Sequence, residues 1–393
     1  MQAKKIVEAK SGAECSAEAM RQINPDVVAA YPITPQTPVM HAFAQFVADG
    51  DVDTEFITVE SEHSAMSATV GAAAAGVRAM TATAANGLAL MHEIVYIAAS
   101  MRLPIVMNVV NRALSGPINI HCDHSDTMGS RDSGWIQLYS ESGQEAYYNT
   151  LLAVRLAEHP KILLPVMVCQ DGFITSHSVE RVELLEDKDA RAFIGPFTPH
   201  NPLLDLEHPV THGPLDLYNY YFEHKMQQSM AMKNVPEVYD QLQKELSKLI
   251  GYENYDVTEE YFLRDAEVAI VCMNSSAGTV KHVISELREE GKKVGLLKMR
   301  MFRPFPAEKV VSQLAHLTSC AVLDRAESFS NQGGPLFGEV RNSLYEAEKK
   351  PAITNYIYGL GGRELTPAHV RSVFDALLSR SDLRTRVHYL GVR

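Results

Sequence analysis

Thr34 is the first side chain in the sequence whose surroundings suggest chemistry. The apolar, β-prone run at residues 27–30 stops at prolines, and a helical pattern follows shortly afterwards. Because Thr34 precedes Pro35, it is predicted to be the N-cap of that helix, with proline at the first helical position. Its hydroxyl could also hydrogen-bond a carboxylate or carbonyl oxygen of a substrate. Capping alone is the structural alternative.

Glu62 follows the next strand-like run in the same way. Residues 55–59 alternate like a strand, Ser61 is predicted to be an N-cap, and Glu62 is predicted to open a helix. Residues 65–76 of that helix are almost all small, which permits close approach of another helix or of a flat ligand. A carboxylate held there would be desolvated and could share a proton with a nitrogen heterocycle. The alternative is a carboxylate that the helix dipole favours by about 0.3–1 kcal/mol.

A buried strand is predicted at residues 105–110, and Asn111 and Arg112 follow it directly. A charged side chain at the end of a buried strand is costly unless it faces a cleft. The planar guanidinium fork suits a carboxylate, so a small acid substrate is a natural ligand. A surface ion pair is the alternative.

A run of acidic residues, histidines and one cysteine occupies a predicted loop at residues 121–126. The residue types suit zinc, but their spacing fits no common pair of ligands on a helix or knuckle. A hydrogen-bonded loop near an active site is one interpretation. The other is a metal hydrolase whose ligands would be His121, Asp123, His124 and Asp126.

Strand and helix patterns alternate over most of the chain, which predicts the α/β class with mostly parallel sheets. Since the carboxyl ends of parallel strands meet at one edge of a sheet, the stretches that carry Thr34 and Glu62 should meet there. We divide the chain into three parts. The first domain covers residues 1–190, an irregular connector with one helix at 235–249 covers residues 191–262, and a second α/β domain covers residues 263–393. Strands are predicted at residues 27–30, 55–59, 77–82, 105–110, 163–169, 268–273, 294–299, 320–323 and 352–358, with helices between them.

The composition excludes several classes of function. The chain has 393 residues, of which 46% are hydrophobic and 21% charged, and a net charge of −12. This charge argues against nucleic acid binding, because phosphate recognition needs a basic surface. The first residues lack the apolar segment of a signal peptide, and no stretch has the pattern of a membrane span. Five cysteines scattered singly predict reduced thiols in the cytoplasm and no iron–sulfur cluster held by this chain alone.

Several short motifs together resemble the α subunit of 2-oxoacid:ferredoxin oxidoreductases, and within that family the pyruvate-type members. Each motif alone is weak, but their order and spacing are specific, and they cover nearly the whole chain. The motifs are YPITP at 31–35, ESEHSA at 60–65, GLALM at 87–91, NRALS at 111–115, DHSD at 123–126, RDSGW at 131–135, DGF at 171–173, SH at 176–177 and RPF at 303–305.

The resemblance implies a fold and roles for particular residues. The first domain would be a doubly wound thiamine-diphosphate-binding domain of the pyrimidine type, followed by a domain like the C-terminal domain of transketolases. Glu62 would be the carboxylate at the pyrimidine N1′, and Ile33 would also contact the cofactor. Thr34 would contact the substrate, and Arg112 would pair with the substrate carboxylate. Glu62, Thr34 and Arg112 would thus be the catalytic residues, and no residue of this chain would bind a metal.

The resemblance also implies a division of labour among subunits. A β subunit would bind the diphosphate, Mg²⁺ and an iron–sulfur cluster, a δ subunit would carry further clusters, and a γ subunit would complete the assembly. The scattered cysteines agree with this. Asp49-Gly50 and Asp171-Gly172 agree as well, because both lack the leading glycine of the Gly-Asp-Gly that begins a diphosphate and magnesium site.

The reaction implied by the resemblance is the reversible conversion of pyruvate, coenzyme A and oxidised ferredoxin to acetyl-coenzyme A, carbon dioxide and reduced ferredoxin. A branched-chain 2-oxoacid or 2-oxoglutarate are alternative substrates. A non-catalytic subunit that keeps the fold and binds a partner is an alternative from another class.

Overall fold

The first sheet of the computed structural model, which describes residues 3–380 and 387–393, has seven strands. All of its neighbouring pairs are parallel except the last strand at one edge, which runs antiparallel. In sheet order the strands are β12 (Met301–Arg303), β6 (Ile136–Ser140), β7 (Val166–Asp171), β5 (Val106–Asn111), β4 (Ala79–Thr83), β2 (Val27–Ala30) and β3 (Glu55–Thr58).

Helices cover both faces of this sheet, because alternate residues of each buried strand point to opposite sides. Val106 and Val110 of β5 join one apolar core, whereas Met107 and Val109 join another. The helices are α1 (Gly12–Ile23), α2 (Thr37–Asp49), α3 (Glu62–Ala75), α4 (Ala85–Leu90), α5 (His92–Ser100), α6 (Ser125–Gly129), α7 (Gly143–Glu158), α8 (Asp187–Ile194) and α9 (Tyr221–Ile250). The first core includes residues of α1, α2, α7 and α9, and the second includes residues of α3 and α5.

A second sheet of six strands follows, parallel except for one antiparallel edge strand. In sheet order its strands are β15 (Val387–Leu390), β14 (Ala352–Tyr358), β13 (Ser319–Asp324), β10 (Val268–Met273), β11 (Val294–Met299) and β9 (Thr258–Tyr261). Its helices are α10 (Ser276–Glu289), α11 (Ala307–Leu314), α12 (Pro335–Leu344) and α13 (Pro367–Ser379), with a short 3₁₀ turn at Leu360–Gly362.

The two sheets share one apolar core. Met107 of β5 and Tyr139 of β6 belong to the same buried cluster as Val271 of β10 and Val322 of β13. Burial of this apolar surface stabilises the arrangement of the two domains as well as each domain by itself.

A buried ion cluster also joins the domains. Lys298 of β11 is only 1% exposed, and its ammonium lies 2.8 Å from Glu141, 2.6 Å from Glu145 and 2.6 Å from Glu259. Burial alone would raise the pKa of Glu145, but Arg300 and Lys298 hold it well below its usual range. The cluster therefore stays ionised, and each charge compensates the desolvation of its neighbours.

The structure confirms the α/β class and the predicted strands and adds several others. β12 was not predicted, because three residues carry too little periodicity. An antiparallel ribbon of β1 (Lys5–Ser11) and β8 (Val179–Leu185) was not predicted either. β9 belongs to the second sheet although it precedes residue 263, the predicted start of the second domain. The division of the chain at residues 190 and 262 stays a prediction.

Helix α9 is twice as long as predicted. It begins at Tyr221 and continues through Pro236, whereas the sequence pattern suggested a helix only from residue 235. Proline removes one backbone donor inside a helix. The helix continues because its buried face, including Ala231, Tyr239 and Leu246, packs along the first domain on both sides of that proline. Between Ile194 and Tyr221 the chain is irregular, as predicted.

Within residues 3–380 and 387–393, no helix combines the length and apolarity needed to cross a membrane. All five cysteines are buried and none forms a disulfide.

Candidate active site

The three predicted site residues lie at the carboxyl edge of the first sheet. Thr34 follows β2, Glu62 follows β3, and Arg112 follows β5. These strands are close neighbours in the sheet, with β4 between β2 and β5. The Arg112 Nη1 donates a hydrogen bond of 2.9 Å to the carbonyl oxygen of Thr34, so the two loops are joined directly.

Glu62 is the first residue of α3, as predicted. The Ser61 hydroxyl caps the helix by accepting from the Ser64 backbone N–H at 3.2 Å. The side chain of Glu62 is only 8% exposed. Within the described part of the chain, its carboxylate accepts no hydrogen bond and forms no ion pair. A carboxylate that has no partner, on a residue that is mostly buried, marks a place where a ligand with a donor would bind favourably.

Gly87 of α4 packs directly against that carboxylate. A Cβ atom on Gly87 would lie 2.8 Å from Glu62 Cγ, 2.9 Å from Glu62 Oε1 and 2.5 Å from Thr83 Oγ1. The Thr83 hydroxyl is itself buried and has no hydrogen-bond partner among the described residues. We call Glu62, Thr83 and Gly87 the carboxylate cradle, because glycine leaves the space that the Glu62 side chain occupies.

We expect Gly87→Ala to displace Glu62, because real Cβ atoms do not approach other heavy atoms so closely. Forcing an extra methyl into such a site costs about 1–3 kcal/mol of stability. The matched control is Gly71→Ala in α3, where an added Cβ meets no atom within 4 Å. That change should be neutral or stabilising, since alanine is favoured over glycine in a helix by about 1 kcal/mol. Thermal unfolding and turnover of the assembled complex are measured for both variants. If Gly87→Ala and Gly71→Ala have the same stability and activity, the tight contact at Gly87 is contradicted.

Arg112 presents a buried guanidinium with spare donors. It is 7% exposed, its Nε donates to the Asn119 carbonyl at 2.9 Å, and its Nη1 donates to Thr34. No carboxylate of the described residues pairs with it, and its Nη2 has no partner there. A surface ion pair, the alternative interpretation, is therefore wrong. Backbone carbonyls hold the fork in place, and an anion could bind its remaining donors.

The prediction that Thr34 caps α2 is wrong. The helix begins at Thr37, its N-cap residue is Gln36, and Pro38 is the proline in its first turn. The reason is a tight turn before the helix, in which the Ile33 carbonyl accepts from the backbone N–H of Gln36 at 2.8 Å and of Thr37 at 3.1 Å. Thr34 is consequently exposed, and Ile33 is half-buried beside it.

Asp126 is a buried residue of the site whose role the sequence did not reveal. Its carboxylate is 2% exposed and accepts from the backbone N–H of Ala85 at 3.0 Å and of Arg112 at 3.0 Å. It also accepts from the Asn111 amide at 2.9 Å and from the Thr127 N–H at 2.8 Å. Burial raises the pKa of Asp126 to about 6, and these hydrogen bonds oppose the shift.

The acidic and histidine-rich loop at 121–126 is hydrogen-bonded throughout. Asp123 accepts from the Ser125 N–H at 3.0 Å and from the Gly361 N–H at 3.2 Å. Across residues 3–380 and 387–393, the side chains of His121, Asp123, His124 and Asp126 do not converge on one point. The hydrogen-bonded interpretation therefore agrees with the structure, and the metal-hydrolase interpretation does not.

Cys122 and His124 approach a third residue, Asp171, at the end of β7. The Asp171 carboxylate lies 2.8 Å from His124 Nε2 and 2.7 Å from Arg325 Nη1, and it also accepts from Asn274 and Ser275 of the second domain. Burial alone would raise the pKa of Asp171, but Arg325 and His124 hold it well below its usual range. Because donors already surround both oxygens, this group joins the domains and is a poor metal site.

Two family models together match most of the chain. Residues 18–244 match the model described as "Pyruvate flavodoxin/ferredoxin oxidoreductase, thiamine diP-bdg". Residues 266–370 match the model described as "Pyruvate:ferredoxin oxidoreductase core domain II". The first match contains Thr34, Glu62 and Arg112.

Curated relatives agree over almost their full length. The chain is 60% identical to "Pyruvate synthase subunit PorA" of Thermotoga maritima, with 98% of both chains covered. It is 46% identical to the subunit of the same name from Methanothermobacter thermautotrophicus, over 94% of each chain. It is 40% identical to "Ketoisovalerate oxidoreductase subunit VorA" of Pyrococcus abyssi, over 94% of this chain and 92% of that one.

Solved structures confirm the predicted fold class. A 2-oxoglutarate:ferredoxin oxidoreductase from Magnetococcus marinus has a TM-score of 0.73 at 22% identity, over 94% of this chain and 65% of that one. A split-gene transketolase has a TM-score of 0.56 at 11% identity, over 95% of this chain and 99% of that one. At such low identity the likeness shows the fold alone. The family models and the curated relatives together show that the chain belongs to the pyruvate:ferredoxin oxidoreductase family, as an α subunit of the 2-oxoacid:ferredoxin oxidoreductases.

Proposed function

We propose that this chain is the α subunit of a pyruvate:ferredoxin oxidoreductase. The complex would convert pyruvate and coenzyme A reversibly to acetyl-coenzyme A and carbon dioxide while reducing ferredoxin. The observation that carries the proposal is the Glu62 carboxylate, which has no hydrogen-bond partner among the described residues and belongs to a residue only 8% exposed, at the sheet edge that also presents Arg112. The name and identity of the Thermotoga maritima relative support pyruvate as the substrate.

The residues present fit the pyrimidine end of thiamine diphosphate. A partnerless carboxylate suits a ring nitrogen that can carry a proton, and the orphaned Thr83 hydroxyl lies in the same cradle.

The role of each side chain follows from its chemistry. Bound thiamine diphosphate supplies an electron sink for decarboxylation of a 2-oxoacid. Glu62 would hold a proton at the ring nitrogen N1′, and Ile33 would contact the ring. Arg112 would bind the substrate carboxylate through its free donors, and the exposed Thr34 hydroxyl would orient the substrate oxygen.

The other components would belong to partner subunits. Mg²⁺ and the iron–sulfur clusters would be held by β and δ subunits, and a γ subunit would complete the complex. Ferredoxin would accept the electrons, and the location would be the cytoplasm, where the five buried thiols would stay reduced.

A branched-chain 2-oxoacid is the second candidate substrate, because the Pyrococcus abyssi relative named for ketoisovalerate is 40% identical. The purified native complex decides between them when viologen reduction is measured with pyruvate, 3-methyl-2-oxobutanoate and 2-oxoglutarate in the presence of coenzyme A. We expect kcat/KM to be highest for pyruvate. Its margin over 3-methyl-2-oxobutanoate should be at least about 10-fold, the usual effect of extra methyl groups in a fitted pocket. A higher value for the branched acid would reassign the substrate.

A further inference from the structure

One carboxylate oxygen connects the cradle of Glu62 to the site of Arg112. Asp126 Oδ2 accepts both the backbone N–H of Ala85, where α4 begins, and the backbone N–H of Arg112, directly after β5. The two donors belong to loops that follow different strands, β4 and β5. The bridging side chain belongs to a third element, α6.

We infer that Asp126 is a positioning residue, which holds the carboxylate cradle and the Arg112 fork at a fixed separation. The inference rests on the functions proposed for Glu62 and Arg112. It extends them, because a substrate bound by Arg112 must be presented to a cofactor that Glu62 contacts, and small displacements between such groups are costly to turnover.

The connection to Glu62 runs through a strained residue. Ala85 has a φ of 41°, in the left-handed region that non-glycine residues adopt only when their surroundings impose it. Its N–H bond to Asp126 is one of those constraints. Gly87, which contacts Glu62, lies two residues further along the same short helix. Loss of the constraint at Ala85 therefore allows Gly87, and with it Glu62, to shift.

The connection to Arg112 is direct. Asp126 Oδ2 fixes the backbone of Arg112, and Asp126 Oδ1 fixes the Asn111 side chain one residue earlier. The Asn111 amide also donates to the Thr127 hydroxyl at 3.0 Å, and Tyr139 donates to that hydroxyl at 2.8 Å. This buried chain makes the orientation of Asp126 unique, as a fully satisfied polar network does.

The second domain provides a matched carboxylate. Asp324 is equally buried and accepts from the backbone N–H of Leu336 at 2.7 Å and of Phe337 at 3.0 Å, where α12 begins. It also accepts from the Asn355 amide at 2.8 Å. Asp324 therefore shares the burial and the donor types of Asp126 but contacts neither the cradle nor Arg112. A change that acts only through stability should affect both residues alike.

The test compares Asp126→Ala, Asp126→Asn and Asp324→Ala in the complex assembled with its natural partner subunits. We expect Asp126→Ala to raise KM for pyruvate and to lower kcat, so that kcat/KM falls about 10²-fold. Asp126→Asn keeps one oxygen that can accept both N–H groups and should lose less. Bound thiamine diphosphate and subunit composition should stay unchanged, and Asp324→Ala should keep the kcat and KM of the unmodified complex.

The outcomes separate this inference from the proposed function. If the unmodified complex turns over no 2-oxoacid, the proposed function fails. If it is active and the Asp126 variants keep its kcat and KM, or change them no more than Asp324→Ala does, the positioning role is refuted. Failure of both Asp126 variants to assemble would assign Asp126 to folding and would equally overturn the inference.

Discussion

Glu62→Gln is expected to abolish turnover of the assembled complex while leaving its subunits and bound cofactor in place. The amide has nearly the same shape, so the cradle with Gly87 and Thr83 should persist. It cannot exchange a proton with the ring nitrogen, and loss of a positioned acid–base group typically costs about 10²–10⁴-fold in rate. Single-turnover decarboxylation of pyruvate and viologen reduction measure the loss.

The control for Glu62 is Glu60→Gln, two residues earlier. Glu60 is exposed, and among the described residues its carboxylate accepts a hydrogen bond from the Ser64 hydroxyl. The same chemical change there should leave kcat within about twofold, because Glu60 faces solvent and substitutions at exposed positions usually have small effects. Normal turnover of Glu62→Gln would remove its proposed role and would favour a non-catalytic subunit.

The second large effect is expected at Arg112. Arg112→Ala should raise KM for pyruvate far more than it lowers kcat, because the guanidinium would bind the substrate carboxylate in ground state and transition state alike. Loss of a charge-assisted pair in a buried site costs on the order of 2–5 kcal/mol, which is about 30- to 5,000-fold in kcat/KM. Arg112→Lys should recover part of the loss, because it keeps the charge but not the fork.

Arg102→Ala is the matched control for Arg112. Arg102 also bonds backbone carbonyls, those of Ile162 and Leu163, but it precedes β5 and so lies at the opposite edge of the sheet. Its loss should affect stability without changing KM for pyruvate. If Arg112→Ala instead releases thiamine diphosphate and leaves KM unchanged, the assignment to the substrate carboxylate is wrong.

Local patterns were sufficient for those parts of the site that local bonds build. The start of α3 at Glu62 was predicted correctly, because the capping residue Ser61 and the small residues of the helix follow one another in the sequence. Thr34 shows the limit of the same reasoning. Two prolines lie near the start of α2. Which of them stands in the first turn of the helix depends on hydrogen bonds to the Ile33 carbonyl, and the sequence pattern does not reveal these bonds.

Long-range contacts were beyond the sequence. Asp126 bonds Ala85 and Arg112, which are 41 and 14 residues away, and no spacing rule pairs a carboxylate with backbone donors at such separations. The residue types of the loop that contains Asp126 suggested metal ligands. In the structure, Asp126 instead joins the ends of β4 and β5 by hydrogen bonds. Likewise, the sequence indicated Asp171 as part of a family motif and for a missing leading glycine, but not that its bonds to Arg325 and Ser275 hold the two domains together.

Strand β12 affects how the chain could be divided into fragments. It is encoded within the second half of the sequence, yet it pairs with β6 at the edge of the first sheet and buries Met301 and Phe302. A fragment that ends near residue 262 would expose the backbone of β6 and the apolar surface that these residues cover, and such an uncovered edge promotes aggregation. The second half of the chain therefore completes the first sheet with one of its own strands. We expect separate expression of either half to yield insoluble protein.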